Sequence, residues 1–141
     1  MLVDANLLLY AVDRRSPRHE AAGAWLEDVL NGSRRVGIPW QSIGAFVRIV
    51  THPRVTTDPL TAEQAWGRVE SWLAADTAWI PPATERTAAV LARLVLDTPA
   101  TGNLVTDAQL AALAIEHGLV LCSADTDFGR FADLRWENPL R

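Results

Sequence analysis

Three aspartates are placed so that chain direction can bring their carboxylates together. Asp4 closes the apolar opening Met1-Leu2-Val3, Asp107 stands at the start of a long Ala/Leu helix, and Asp125 follows the apolar run Leu119 to Cys122. If the two apolar runs are neighbouring parallel strands, their carboxyl ends and one helix N-terminus converge on a crevice at one sheet edge, where open α/β folds bind ligands. Carboxylates gathered there repel one another and stay ionised together only beside a cation. A hard, all-oxygen site favours Mg²⁺ or Mn²⁺, and metal-assisted phosphodiester hydrolysis is the chemistry such a site best supports.

The elements that must position these acids are legible from apolar spacing. Leu2 to Asp4 reads as a short buried strand turning at Ala5-Asn6 into the helical stretch Leu7 to Val12. A second helix is predicted from about Arg18 to Leu30, a strand over Arg35 to Pro39, and a third helix over Trp40 to Thr51. Leu60 opens a fourth helix to about Ala74, and Ala78-Trp79-Ile80 is a short apolar run. A fifth helix spans Glu85 to Leu96, and a sixth runs from Leu104 to His117, where Gly118 stops it. The strand Leu119 to Cys122 follows, then a turn at Phe128 to Phe131 and a candidate edge strand at Leu134 to Trp136. Helices alternating with short apolar strands imply a three-layer α/β/α sandwich with a mostly parallel central sheet.

Composition narrows the function classes. At 141 residues and 49% hydrophobic, the chain fits one compact domain over residues 1–141 with a substantial core. No apolar segment approaches the ~20 residues a membrane span needs, so a soluble cytoplasmic protein is expected. All 13 basic residues are arginine. The absence of lysine excludes Schiff-base enzymes, the P-loop and phospho-acceptor receivers. Net charge of −4 argues against a surface that grips nucleic acid everywhere, while leaving room for a local basic rim. Cys122 is alone and reads as a small buried side chain. His19, His52 and His117 have no metal-binding spacing and read as surface or capping groups.

Each acid also has an ordinary structural reading. Asp4 after a strand is a common helix N-cap, Asp107 in a first turn complements the helix dipole, and Asp125 and Asp127 lie in a polar loop where solvated acids are usual. Joint placement favours chemistry, because three independent caps need not share one crevice.

Three segments carry a family resemblance: Leu2-Val3-Asp4-Ala5-Asn6-Leu7-Leu8-Leu9-Tyr10, Gly102-Asn103-Leu104-Val105-Thr106-Asp107-Ala108, and Leu121-Cys122-Ser123-Ala124-Asp125-Thr126-Asp127-Phe128. In this order, and with helices between, they resemble the PIN-domain family, specifically its VapC toxins, over nearly the whole chain. The resemblance implies a parallel sheet flanked by helices, Mg²⁺- or Mn²⁺-dependent RNA cleavage leaving a 5′-phosphate and a 3′-hydroxyl, a homodimer, and neutralisation by a VapB-like antitoxin. It makes Asp4, Asp107 and Asp125 catalytic metal-site carboxylates, Asp127 a supporting acid, and Asn6 and Ser123 hydrogen-bonding groups behind them.

The chain departs from the family pattern in its third helix, where a Glu is common and Gln41-Ser42-Ile43-Gly44-Ala45-Phe46 offers only the neutral donors Gln41 and Ser42. Arg14, Arg15 and Arg18 on one loop, and Arg48 and Arg54 about the third helix, are candidates to guide an RNA backbone. The stripe Trp66, Val69, Trp72 and Leu73 is core or partner surface; the resemblance places an antitoxin groove beside the third and fourth helices. Three readings follow. One is a VapC-like endoribonuclease. Another is a weakened PIN-fold module that binds RNA or antitoxin without efficient cleavage. The third, a nucleophilic-Asp hydrolase of small phosphoesters, is disfavoured because Asn6 stands where it wants a second acid and lysine is absent.

Overall fold

The computed structural model describes residues 1–141. Strand β1 (Leu2–Val3) passes through Asp4 into helix α1 (Ala5–Val12), and α2 (His19–Asn31), β2 (Val36–Gly37), α3 (Trp40–Val50) and α4 (Ala62–Leu73) follow. Then come β3 (Ala78–Trp79), α5 (Glu85–Asp97), α6 (Asn103–Glu116), β4 (Leu121–Cys122), a 3-10 turn (Thr126–Arg130) and β5 (Trp136–Glu137). The strands form one sheet in the order β3-β2-β1-β4-β5, and every pairing is parallel.

Alternation along the two central strands builds the layers. Leu2 and Leu121 point into a core shared with α5, α6 and the 3-10 turn, where Leu94, Leu113, Phe128 and Phe131 are buried. Val3 and Cys122 point the other way, into a core with Leu7, Leu26, Phe46, Val69 and Trp72 from α1 to α4. Five consecutive residues of α6, Leu110 to Ala114, are buried, and the alanines among them let this helix lie close to its neighbours. The stripe on α4 is mostly core: Trp72 meets Phe46 edge-on with ring centroids 4.8 Å apart, and Trp66 alone stays exposed. No helix is long and apolar enough to cross a membrane.

Boundaries move where backbone groups find other partners. The β4 pairing begins at Leu121 rather than Leu119, because the Leu119 amide donates back to the Ala114 carbonyl at the end of α6. Similarly, the Leu134 amide turns back to Phe131, so the edge strand is Trp136–Glu137. Helix α4 starts at Ala62, after Thr61 and Gln64 form a capping box. Helix α6 starts at Asn103 behind Gly102, whose φ of 57° is the left-handed conformation glycine accepts at little cost. Asp107 consequently lies beyond the first turn of α6, which holds no acid, and the dipole-capping explanation for it falls away.

Candidate metal centre

Parallel pairing of Leu2 with Leu121 and of Val3 with Cys122 brings the carboxyl ends of β1 and β4 side by side. The Asp4 amide donates to the Cys122 carbonyl at 3.0 Å, which fixes the backbone at the point where β1 gives way to α1. Although Asp4 occupies the N-cap of α1, its side chain makes no capping bond. Its Oδ2 instead accepts from the Ser123 hydroxyl at 2.6 Å.

Ser123 is fully buried, and each of its polar atoms is engaged. Its Oγ accepts from Asn6 Nδ2 at 2.9 Å and from the Asp125 amide at 3.0 Å while donating to Asp4. Its amide donates to the Glu137 carbonyl, and its own carbonyl accepts from the Trp136 indole N–H at 3.0 Å. Asn6 Oδ1 also accepts from the Ala124 amide at 3.3 Å. This network orients Asp4 and the approach to Asp125 from behind. The Trp136 brace had no signal in the sequence beyond a candidate edge strand, because nothing in a residue string fixes where an indole N–H points.

Asp107, Asp125 and Asp127 come together from α6 and the 3-10 turn, with one oxygen of each within 4.8 Å of the others. The Asp125 carboxylate also accepts the Asp127 amide at 2.9 Å, closing the turn that presents both side chains. Asp4 lies outside that trio yet within its field. Burial pushes the Asp107 carboxyl up to about 6, helped by the charges of Asp125, Asp4 and Asp127. Asp4 is likewise raised by burial, against the opposing bonds from the Ser123 hydroxyl and the Ala5 amide. The protein's two ion pairs, Arg15–Asp13 and Arg93–Asp133, involve none of these four acids. An all-oxygen donor set carrying uncompensated negative charge fits a hard divalent cation.

Of the neutral donors of α3, Ser42 does not replace the absent acid. Ser42 is buried, and its hydroxyl donates to the Val3 carbonyl at 2.7 Å, stitching α3 to the residue before Asp4. Burial drives the Cys122 thiol up to about 12, which keeps it protonated and inert. The histidines hold backbone: His19 Nδ1 lies 3.1 Å from the Tyr10 carbonyl, His52 Nδ1 accepts the Arg54 amide, and His117 Nε2 lies 2.8 Å from the Pro82 carbonyl.

The arginines are not equivalent. Arg15 is tied to Asp13 and to the hydroxyls of Thr56 and Thr57, whereas Arg14 and Arg48 are exposed without a hydrogen-bond partner. Arg14 and Arg15 follow the C-terminal end of α1, about 12 Å of helix away from Asp4. Beside α4, a cleft of about 540 Å³ is lined by Val12, Leu26, Leu30, Arg68 and Trp72, so it opens toward α1 and α2 rather than toward α3.

Residues 1–134 match the family model described as PIN domain. The chain belongs to the PIN-domain family. Among PIN-domain relatives, it is 45% identical over 138 residues to a Mycobacterium tuberculosis protein named Ribonuclease VapC37, covering 98% of this chain and 96% of that one. It is 40% identical over 141 residues to Ribonuclease VapC33 of the same species, covering 100% and 99%. Its fold is similar to that in VapBC2 from Rickettsia felis, solved with a promoter DNA fragment, at a TM-score of 0.73, 18% identity and coverage of 97% and 96%. FitAcB from Neisseria gonorrhoeae gives a TM-score of 0.67 at 21% identity, with coverage of 98% and 96%. The all-parallel sheet between two helical layers is thus the PIN fold.

Proposed function

We propose that this PIN-domain protein is a metal-dependent endoribonuclease, the toxin of a type II toxin-antitoxin pair. The observation that carries the reading is the group of three carboxylates with oxygens within 4.8 Å and no cationic partner. The names of its relatives, ribonucleases at 40–45% identity, support RNA as the substrate. The VapBC and FitAcB structures support an antitoxin as the partner. One PIN domain accounts for residues 1–141.

In this reading Asp107, Asp125 and Asp127 would hold Mg²⁺ or Mn²⁺, with Asp4 the further acid of the site. When bound, the ion supplies Lewis acidity to water and phosphate and offsets charge on the leaving oxygen. Ser123 and Asn6 hold Asp4 so that its free oxygen stays aimed at the site. Arg14 and Arg48 meet RNA phosphates, while Arg15 shapes the loop that carries Arg14. Water attacks phosphorus and the P–O3′ bond breaks, leaving a 5′-phosphate and a 3′-hydroxyl. The VapB-like antitoxin places an apolar segment in the cleft beside Leu26, Leu30 and Trp72, and the toxin is a cytoplasmic homodimer.

A second reading, an RNA- or antitoxin-binding module with weakened cleavage, is favoured by one observation: α3 contains no acid at all. Cleavage of a mixed RNA pool by antitoxin-free protein, with Mg²⁺, Mn²⁺ or EDTA, separates the two. Metal-dependent cleavage that disappears in a folded Asp4→Asn variant is the result expected of the nuclease. No cleavage by folded wild type with either metal hands the case to the binding module.

A further inference from the structure

Helix α3 is exposed at three residues only, Trp40, Gly44 and Arg48; every other position from Gln41 to Val50 is buried or half-buried. The spacing i, i+4, i+8 puts the three on one face, over about 12 Å of helix. Trp40 is 58% exposed, which is unusual for the most costly apolar side chain to leave in water. A Cβ added at Gly44 would meet nothing within 4 Å, so the strip is open above its middle. Arg48 carries the only charge on the helix.

Register places one end of this strip beside Asp4. Leu2 pairs with Gly37, which sets Asp4 level with Pro39, and Trp40 is the next residue along. Neighbouring parallel strands lie about 4.8 Å apart. The Ser42 hydroxyl bonded to the Val3 carbonyl locks that relationship. Trp40 therefore begins α3 one strand over from Asp4, with open space above Gly44 and a guanidinium two turns away.

We infer that the Trp40–Gly44–Arg48 face is a track for single-stranded RNA: a base next to the scissile phosphate stacks on the Trp40 indole, the backbone passes over Gly44, and a phosphate meets Arg48. This deepens the nuclease reading above and rests on it. Stacking on an aromatic needs no particular base, and a lone cation on a helix free of acids complements a phosphate.

The test combines steady-state cleavage by wild-type and Trp40 variants with equilibrium binding of a labelled short single-stranded RNA, the latter in an Asp107→Asn background that prevents turnover. Trp40→Ala is expected to raise KM and Kd about tenfold with kcat near wild type. Trp40→Phe restores most of the loss and Trp40→Leu does not. An abasic nucleotide at the stacked position removes the difference between the Trp40→Ala variant and the protein that keeps Trp40, which a structural role would not do. Arg48→Ala lowers the slope of log Kd against log salt by about 0.7. Unchanged KM and Kd in Trp40→Ala, full rescue by Trp40→Leu, or a changed oligomeric mass by light scattering overturns the track. If wild type cleaves no RNA but binds it through Trp40, the nuclease reading falls and the track stands. If no RNA is bound by any variant, both fall.

Discussion

The Ser123 hydroxyl donates to Asp4 across 119 positions of sequence at 2.6 Å, and the same oxygen accepts from Asn6 and from the Asp125 amide. One buried atom thus ties the strand end bearing the first acid to the loop bearing the last.

Replacing that oxygen tests the tie. Ser123→Ala strands the Asn6 amide, the Asp125 N–H and the Asp4 carboxylate in a buried setting. Unsatisfied buried groups cost about 1–3 kcal/mol, to be read from urea unfolding. Metal affinity or cleavage is expected to fall by roughly 10- to 100-fold, as when a group orienting a metal ligand is lost. Wild-type activity in this variant would mean that Asp4 does not need to be held.

Asp107→Asn separates function from stability. Cleavage should drop by more than the Ser123 variant loses. Without metal, however, the variant should melt higher than wild type, because burial and three neighbouring acids all oppose the Asp107 charge. A lower metal-free melting temperature would contradict the electrostatic account of the site.

Proton linkage gives a signed prediction. The Asp107 carboxyl is raised from 3.8 to about 6 in the folded protein, so between those values the folded state binds more protons than the unfolded one. Stability then falls as pH rises through that window, and metal-free protein should melt higher at pH 5 than at pH 7. Metal reverses the sign, since it requires the ionised carboxylate: Mg²⁺ affinity should weaken as pH falls below about 6. Calorimetric titration at several pH values, with Asp107→Asn as control, checks both directions.

The sheet offers a test independent of chemistry. A Cβ at Gly37 would lie 2.8 Å from Pro81 Cγ, 3.1 Å from Leu2 Cδ1 and 3.2 Å from the Met1 carbonyl. Gly37→Ala should therefore cost about 1–3 kcal/mol by overpacking beside the central strand. A neutral effect would show that β2 has more room than its register implies.

Much of this was legible in the sequence because its cues are local. Apolar strands ending in Asp4 and just before Ser123-Ala124-Asp125, together with the long Ala/Leu helix that carries Asp107, announce a parallel sheet with acids at one edge. Asp107 lies with Asp125 and Asp127 although its helix begins earlier than a first-turn cap requires. What escaped is set by bonds that residue type does not announce: β4 is short because the Leu119 amide is claimed by the nearby Ala114 carbonyl, and Ser42, read as a spare oxygen donor, is consumed by the distant Val3 carbonyl. The Trp136 indole bond to the Ser123 carbonyl is of the same kind, a direction in space rather than a residue type. Likewise, the basic character of Arg15 reads identically to that of Arg14 until Asp13, Thr56 and Thr57 are seen to hold it.

Strand order also bears on timing. The first strand, β1, lies in the middle of the sheet between β2 and β4, and its partner β4 is synthesised long after it. At roughly 5–20 residues per second, many seconds separate synthesis of Asp4 from synthesis of Ser123 and Asp125. A chain that stops before β4 lacks Ser123, Asp125 and Asp127, so the four acids cannot assemble until β4 and the turn after it have been made.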